Sequence, residues 1–177
     1  EGNVVRIVDG IYPNPWAIRE LALASQFLPR RDYVGLCSLR HQPPGVQGLI
    51  ERTFGCRALA WENDSETDRR ANGAFFIPDP TDPAAAARIH YDAPSAWMTL
   101  LVYLTPNVLP QSGTSFWRHR RTGLVAVPPC RALSKHMCEP AQSVETLLSE
   151  GGDRRHWQEL IRVENMFNRA VLFASAS

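Results

Sequence analysis

The stretch from Trp97 to Gly123 constrains this chain more than any other. It holds two β-like runs, Trp97-Met-Thr-Leu-Leu-Val-Tyr103-Leu104 and Ser112-Gly-Thr-Ser-Phe-Trp-Arg-His-Arg-Arg-Thr-Gly123, joined by a short Pro/Asn-containing connection. In the first run, Trp97, Thr99, Leu101 and Tyr103 alternate with Met98, Leu100, Val102 and Leu104. Both faces are largely apolar, the pattern of a strand covered on both sides. One face also carries the hydroxyls of Thr99 and Tyr103, which need hydrogen-bond partners in an apolar setting. A ligand carboxylate would supply them, as would the protein's own backbone groups.

Just before this run stands Arg88-Ile-His90-Tyr-Asp92. If it is extended, residues two apart point to one side, so His90 and Asp92 present an imidazole and a carboxylate together. These are two members of the two-histidine, one-carboxylate set that binds non-haem Fe(II) and leaves other positions open. A His and Asp hydrogen-bonded to each other would show the same pattern.

His90-Tyr-Asp92, Thr-Leu-Leu-Val-Tyr-Leu, Ser-Gly-Thr-Ser-Phe and Phe167-Asn-Arg-Ala-Val-Leu-Phe173 succeed one another along the chain. In that order the set resembles the Fe(II)/2-oxoglutarate-dependent oxygenases, nearest to the prolyl-hydroxylase-like branch and a bacterial group within it. That group opens on a pattern like Ile7-Val-Asp-Gly-Ile-Tyr-Pro-Asn-Pro15. The resemblance implies an α+β chain, mainly β, built on a double-stranded β-helix (jelly-roll, cupin-like) core with N-terminal helices packed on it. Residues 1–55 would be helical support and 56–177 the core of a single domain. It implies Fe(II) and 2-oxoglutarate as cofactors, O2 as co-substrate, and hydroxylation of an amino acid, peptide or small metabolite by hydrogen abstraction from carbon. His90 and Asp92 would be the catalytic metal ligands, with Thr99 and Tyr103 facing 2-oxoglutarate.

The chain departs from the family at its end. The family's second histidine and its 2-oxoglutarate-anchoring Arg or Lys lie beyond the strand resembling Phe167–Phe173, and this sequence stops at Ser177. The favoured expectation is a continuation missing from the sequence, C-terminal strands included. Substitution by His119, His136 or His156, or a protein that no longer binds iron, are the alternatives. Two other classes stay open: a non-catalytic jelly roll that binds a ligand or partner, and a cupin-type metalloenzyme that does not use 2-oxoglutarate.

Arg118, His119, Arg120 and Arg121 form a basic cluster. Arg118 and Arg120 are candidate substrate-binding residues, because guanidinium forks match carboxylate or phosphate; a solvated strand end is the plainer reading. Nineteen basic against eighteen acidic residues leave a charge of +1, so nucleic acid and membrane surfaces are not expected partners. The expected partner is a small-molecule or peptide substrate. For oligomeric state there is only the general preference for two-fold homodimers. With no spanning apolar run and no signal peptide, a cytoplasmic location is expected, and the missing initiator Met suggests a trimmed or incompletely recorded N-terminus. Cysteines 37, 56, 130 and 138 form no Cys-x-x-Cys pair and are expected as reduced thiols. A zinc site using Cys130, His136 and Cys138 would match no usual spacing.

Along the chain, Val4–Val8 predicts a strand. Asn14 and Pro15 predict the cap and first residue of a helix with Ile18, Leu21, Ala22 and Ser25 inward and Pro29 as its stop. Residues 32–44 read as irregular. Val46–Phe54 predicts a helix closed by Gly55. Cys56–Trp61 and Gly73–Ile77 predict strands around a solvated acidic loop, whose spacing is not that of an EF-hand. Residues 124–152 form a long connection with a helical patch at Val144–Ser149, of the kind that walls substrate sites. Asp153 would cap a helix over 154–162 with Trp157, Leu160 and Ile161 inward, and Phe167–Ala174 predicts a final strand.

Overall fold

A computed structural model of the chain describes residues 4–30, 33–58, 61, 72–78, 88–92, 98–109, 112–127 and 140–174. Among these the fold is mixed α+β, with three small antiparallel sheets and three helices. Contacts divide the chain into two units, one of residues 1–10 with 87–177 and the other of residues 11–86.

In the second of these units, Asn14 accepts the Ala17 N–H at 3.2 Å and Pro15 begins helix α1 (Pro15–Ala24), as the local chemistry dictates. The helix stops at Ser25, four residues before Pro29, and its expected inward stripe is only half-covered, with Leu21 exposed. Pro29 lies in strand β2 (Phe27–Arg30), which pairs with β3 (Tyr33–Arg40). Residues 33–40 are thus a strand where composition suggested irregular chain. Sheet pairing supplies the backbone partners that Gly35 and the flanking polar residues hid from view. β3 also pairs with β4 (Ala74–Pro78). Gly73 precedes β4 at φ +82°, where a Cβ would meet the His41 carbonyl oxygen at 2.7 Å. Helix α2 (Val46–Phe54) closes on Gly55 at φ 61°, the left-handed stop its sequence predicts. Cys56–Ala58 are not strand; the rest of that expected strand, and most of the acidic loop, lie outside the described residues.

In the other unit, β1 (Arg6–Asp9) and β5 (Met98–Val102) flank β8 (Arg169–Ala174). Ala170, Val171, Leu172 and Phe173 are all buried in sequence, as in a central strand covered on both faces. β5 is half-buried on both faces from Thr99 to Val102, with Leu101 and the following Tyr103 packed on the core, while Met98 is exposed. The second sheet of this unit pairs β6 (Gly113–His119) antiparallel with β7 (Trp157–Glu164). Phe116 from β6 meets Phe173 edge-on, with ring centroids 5.1 Å apart. With Val163 and Val171 these rings make the core, where each fully buried large side chain stabilises by roughly 1.5–3 kcal/mol.

Asp153 is a helix cap as expected, accepting the Arg155 N–H at 3.0 Å. The capped element is a single 3-10 turn, Arg154–His156, and not a helix over 154–162. Residues 157–164 pair with β6 instead, burying Trp157 and Val163 while Leu160 and Ile161 stay exposed. Phe116 faces Ile161 and Trp117 faces Glu159, so Leu160 is an extra residue in β7. That bulge puts Glu159 and Arg162, three apart, on the same face. Helix α3 (Pro140–Glu150) contains the expected helical patch.

Candidate functional site

The segment carrying His90 and Asp92 is not a strand. It is held to the C-terminal end of α3 by two bonds: the Arg88 Nη2 donates to the Leu148 carbonyl at 2.7 Å, and the Ile89 N–H donates to the Gly151 carbonyl at 2.9 Å. An arginine on late helical carbonyls satisfies acceptors that the helix leaves over. Gly151 is pressed against this segment. A Cβ there would lie 2.3 Å from the Ile89 carbonyl oxygen.

The same-side placement expected of His90 and Asp92 is nevertheless found, by a different route. His90 Nε2 and Asp92 Oδ1 stand 3.9 Å apart, too far for a hydrogen bond between them. Each side chain is oriented from behind. His90 Nδ1 lies 2.9 Å from the Arg88 carbonyl oxygen, a contact that requires the proton on Nδ1, so that in the neutral ring the lone pair is on Nε2. Thr99 Oγ1 donates to Asp92 Oδ2 at 2.6 Å, leaving Oδ1 directed to the His90 side. Both groups reach solvent, with side chains 66% and 36% exposed. One lone-pair nitrogen and one carboxylate oxygen, each with an outer partner, is the arrangement that ligating residues need. Among the described residues, no three or more His, Cys, Asp or Glu side chains are grouped so that they could hold a metal ion.

Tyr103 donates to Thr114 Oγ1 at 2.7 Å, and burial pushes its hydroxyl pKa up against the lowering effect of the Thr114 hydrogen bonds. Thr99 and Tyr103 therefore both find partners within the protein. In the basic cluster, Arg118 is exposed, and Arg120 Nε donates to the Trp157 carbonyl at 3.0 Å.

His119 is wholly buried. Its Nε2 lies 2.7 Å from Glu150 Oε2 and its Nδ1 lies 3.0 Å from Thr122 Oγ1. Its ring rests on Trp157, with centroids 4.9 Å apart. Arg121 Nη2 donates to the other Glu150 oxygen at 2.8 Å, and His156 Nδ1 lies 3.6 Å from Oε2. The His119 hydrogen bond, helped by the charge of Arg121, holds the Glu150 carboxyl below the usual range. His119 and His156 are thus engaged with Glu150 rather than with His90 and Asp92. His136, Cys130 and Cys138 lie outside the described residues.

The sequence offered no sign of this knot, whose members are 31 residues apart. Nor did it show Arg169, whose guanidinium clasps Asp9 two-pronged at 2.6 and 3.0 Å across β1 and β8. Ser115 donates to Glu159 at 2.6 Å and accepts from Arg162 at 3.2 Å, a triangle that depends on the bulge at Leu160.

Over residues 81–177, more than half of the chain, the sequence matches the model of a family of unknown function, DUF6445. No curated protein and no solved structure matches it.

Proposed function

We propose a function for a chain that belongs to the DUF6445 family: it is an Fe(II)- and 2-oxoglutarate-dependent oxygenase, and the two antiparallel sheets of the unit of residues 1–10 and 87–177 form part of a jelly roll. The observation that carries the reading is the pair of outward donors, His90 Nε2 and Asp92 Oδ1, 3.9 Å apart with their other polar atoms already bonded. An imidazole nitrogen and a carboxylate oxygen suit Fe(II). The jelly-roll reading is supported by β8, the last strand, lying between β1 and β5, a long-range order of the Greek-key kind.

His90 and Asp92 would hold the metal. When bound there, Fe(II) and 2-oxoglutarate would activate O2, one oxygen atom turning a C–H bond into C–OH and the other entering succinate as CO2 is lost. The chain's own part is positioning. Thr99 fixes the carboxylate rotamer, and the Arg88 carbonyl fixes the imidazole tautomer. The tethers to Leu148 and Gly151 hold the segment in place. Tyr103 gives its hydroxyl proton to Thr114, so a carboxylate ligand would have to displace that bond to take it.

The test is anaerobic addition of Fe(II) and 2-oxoglutarate. A weak visible charge-transfer band, and succinate on admitting air, are expected, both lost in Asp92→Ala and His90→Ala. Metal binding with no consumption of 2-oxoglutarate would favour a cupin-type metalloenzyme. Neither signal would leave a ligand-binding protein.

A further inference from the structure

Beside His90 lies a cavity of about 60 Å³. His90 is part of its wall, with Phe116 and Trp117 of β6, Leu147 of α3, Trp157 of β7 and residues 124–127, and the space opens to solvent on one side. Among the described residues, no Asp, Glu, Lys or Arg side chain lines it. A carboxylate, phosphate or ammonium placed inside would lose its hydration with no partner in return, so the occupant's inner end is uncharged and apolar.

Volume narrows the choice. An apolar cavity of roughly 150 Å³ accepts benzene, and each water-sized group takes about 30 Å³. The space here is too small for a phenyl or indole ring and fits an isopropyl or isobutyl end. Resting on the reading of His90 and Asp92 as metal ligands, we propose that the substrate presents a short branched aliphatic group to this cavity, and that a carbon of that group is the one held beside His90. The polar part of the substrate stays outside. This also removes Arg118 and Arg120 from the inner site, since neither lines it.

Isobutanol is the probe, titrated into the whole protein without metal and monitored by the indole N–H resonances of Trp117 and Trp157. Both should shift. Along ethanol, propanol and isobutanol, affinity should rise about fourfold per added carbon, then fall for benzyl alcohol and indole. Filling the space in Ala126→Leu, or in Val127→Phe should the first variant not fold, should weaken isobutanol at least about tenfold. Mn(II), a paramagnetic stand-in for Fe(II), should then broaden the isobutanol methyl signal, and Asp92→Ala should abolish the broadening. Unmoved Trp117 and Trp157 resonances, or indole binding as well as isobutanol, overturn the proposal. Isobutanol and Mn(II) both binding without broadening overturns the substrate assignment while leaving the metal reading intact. Absence of Mn(II) binding beside intact isobutanol shifts defeats both, and reduces the cavity to a ligand pocket.

Discussion

Thr99→Val is the most direct probe of how the candidate ligands are oriented. Valine keeps the shape and removes only the hydroxyl that donates to Asp92 Oδ2 at 2.6 Å. A hydrogen bond to a charged group contributes about 1.5–3 kcal/mol when buried. Asp92 is 36% exposed, so water replaces part of what is lost, and the low end of about 1.5 kcal/mol applies. If that bond is what keeps Oδ1 facing His90, freeing the carboxylate weakens divalent metal binding by about tenfold, the lower bound for loss of an outer-sphere partner. Thr99→Ser, which keeps the donor, should bind within about twofold of the parent, well under the ~1.4 kcal/mol of a tenfold change. Anaerobic calorimetry with Fe(II), or Mn(II) monitored by electron paramagnetic resonance, measures all three. Equal metal affinity in Thr99→Val and the parent, with Asp92→Ala abolishing binding, would refute the orienting role. Equal affinity in all of them would refute the metal site itself.

Gly151→Ala should push the Ile89 carbonyl away, since the new Cβ would start 2.3 Å from it; metal affinity should fall while far-ultraviolet circular dichroism still reports the helices. An unchanged affinity would mean that the tether to α3 does not position His90. Gly113→Ala should cost more than about 2 kcal/mol of stability by urea unfolding, because Gly113 has φ +134° and its Cβ would meet the Val163 carbonyl oxygen at 2.1 Å; a loss under about 0.5 kcal/mol would show that the start of β6 is not fixed there. Acid should unfold the protein through lowered carboxylates. The His119 bond lowers Glu150, and the Arg155 bonds hold Asp153 at about 2. A carboxyl with a lowered folded pKa stabilises fully above its ordinary value and loses that contribution as pH falls through the lowered one. The urea midpoint should therefore be level above 4.5, the ordinary value for Glu150, and decline toward about 2, with a shallower decline in Glu150→Gln; an identical profile in that variant would remove Glu150 from the explanation.

The features legible in the sequence are those that a few neighbouring residues decide among themselves. Asn14-Pro15 starts α1, and Gly55 ends α2, because a cap and a left-handed stop are satisfied within one turn. The run Phe167–Ala174 reads as a strand from its own residues, and Arg169–Ala174 form it. The misreadings occur where distant partners outweigh the local signal. Asp153 does cap, but pairing of residues 157–163 with β6 and the burial of Trp157 and Val163 favour a strand after one turn. Residues 33–40 look irregular until β2 and β4 satisfy their backbone. For the candidate site the two kinds of cause combine. His90 and Asp92 are close in sequence, which any extended reading detects. The bonds that point Nε2 and Oδ1 outward come partly from Thr99, and the segment's anchorage comes from Leu148 and Gly151. A His-x-Asp pair without those supports would turn freely in water. The supports, more than the pair, distinguish a prepared ligand set from a surface coincidence.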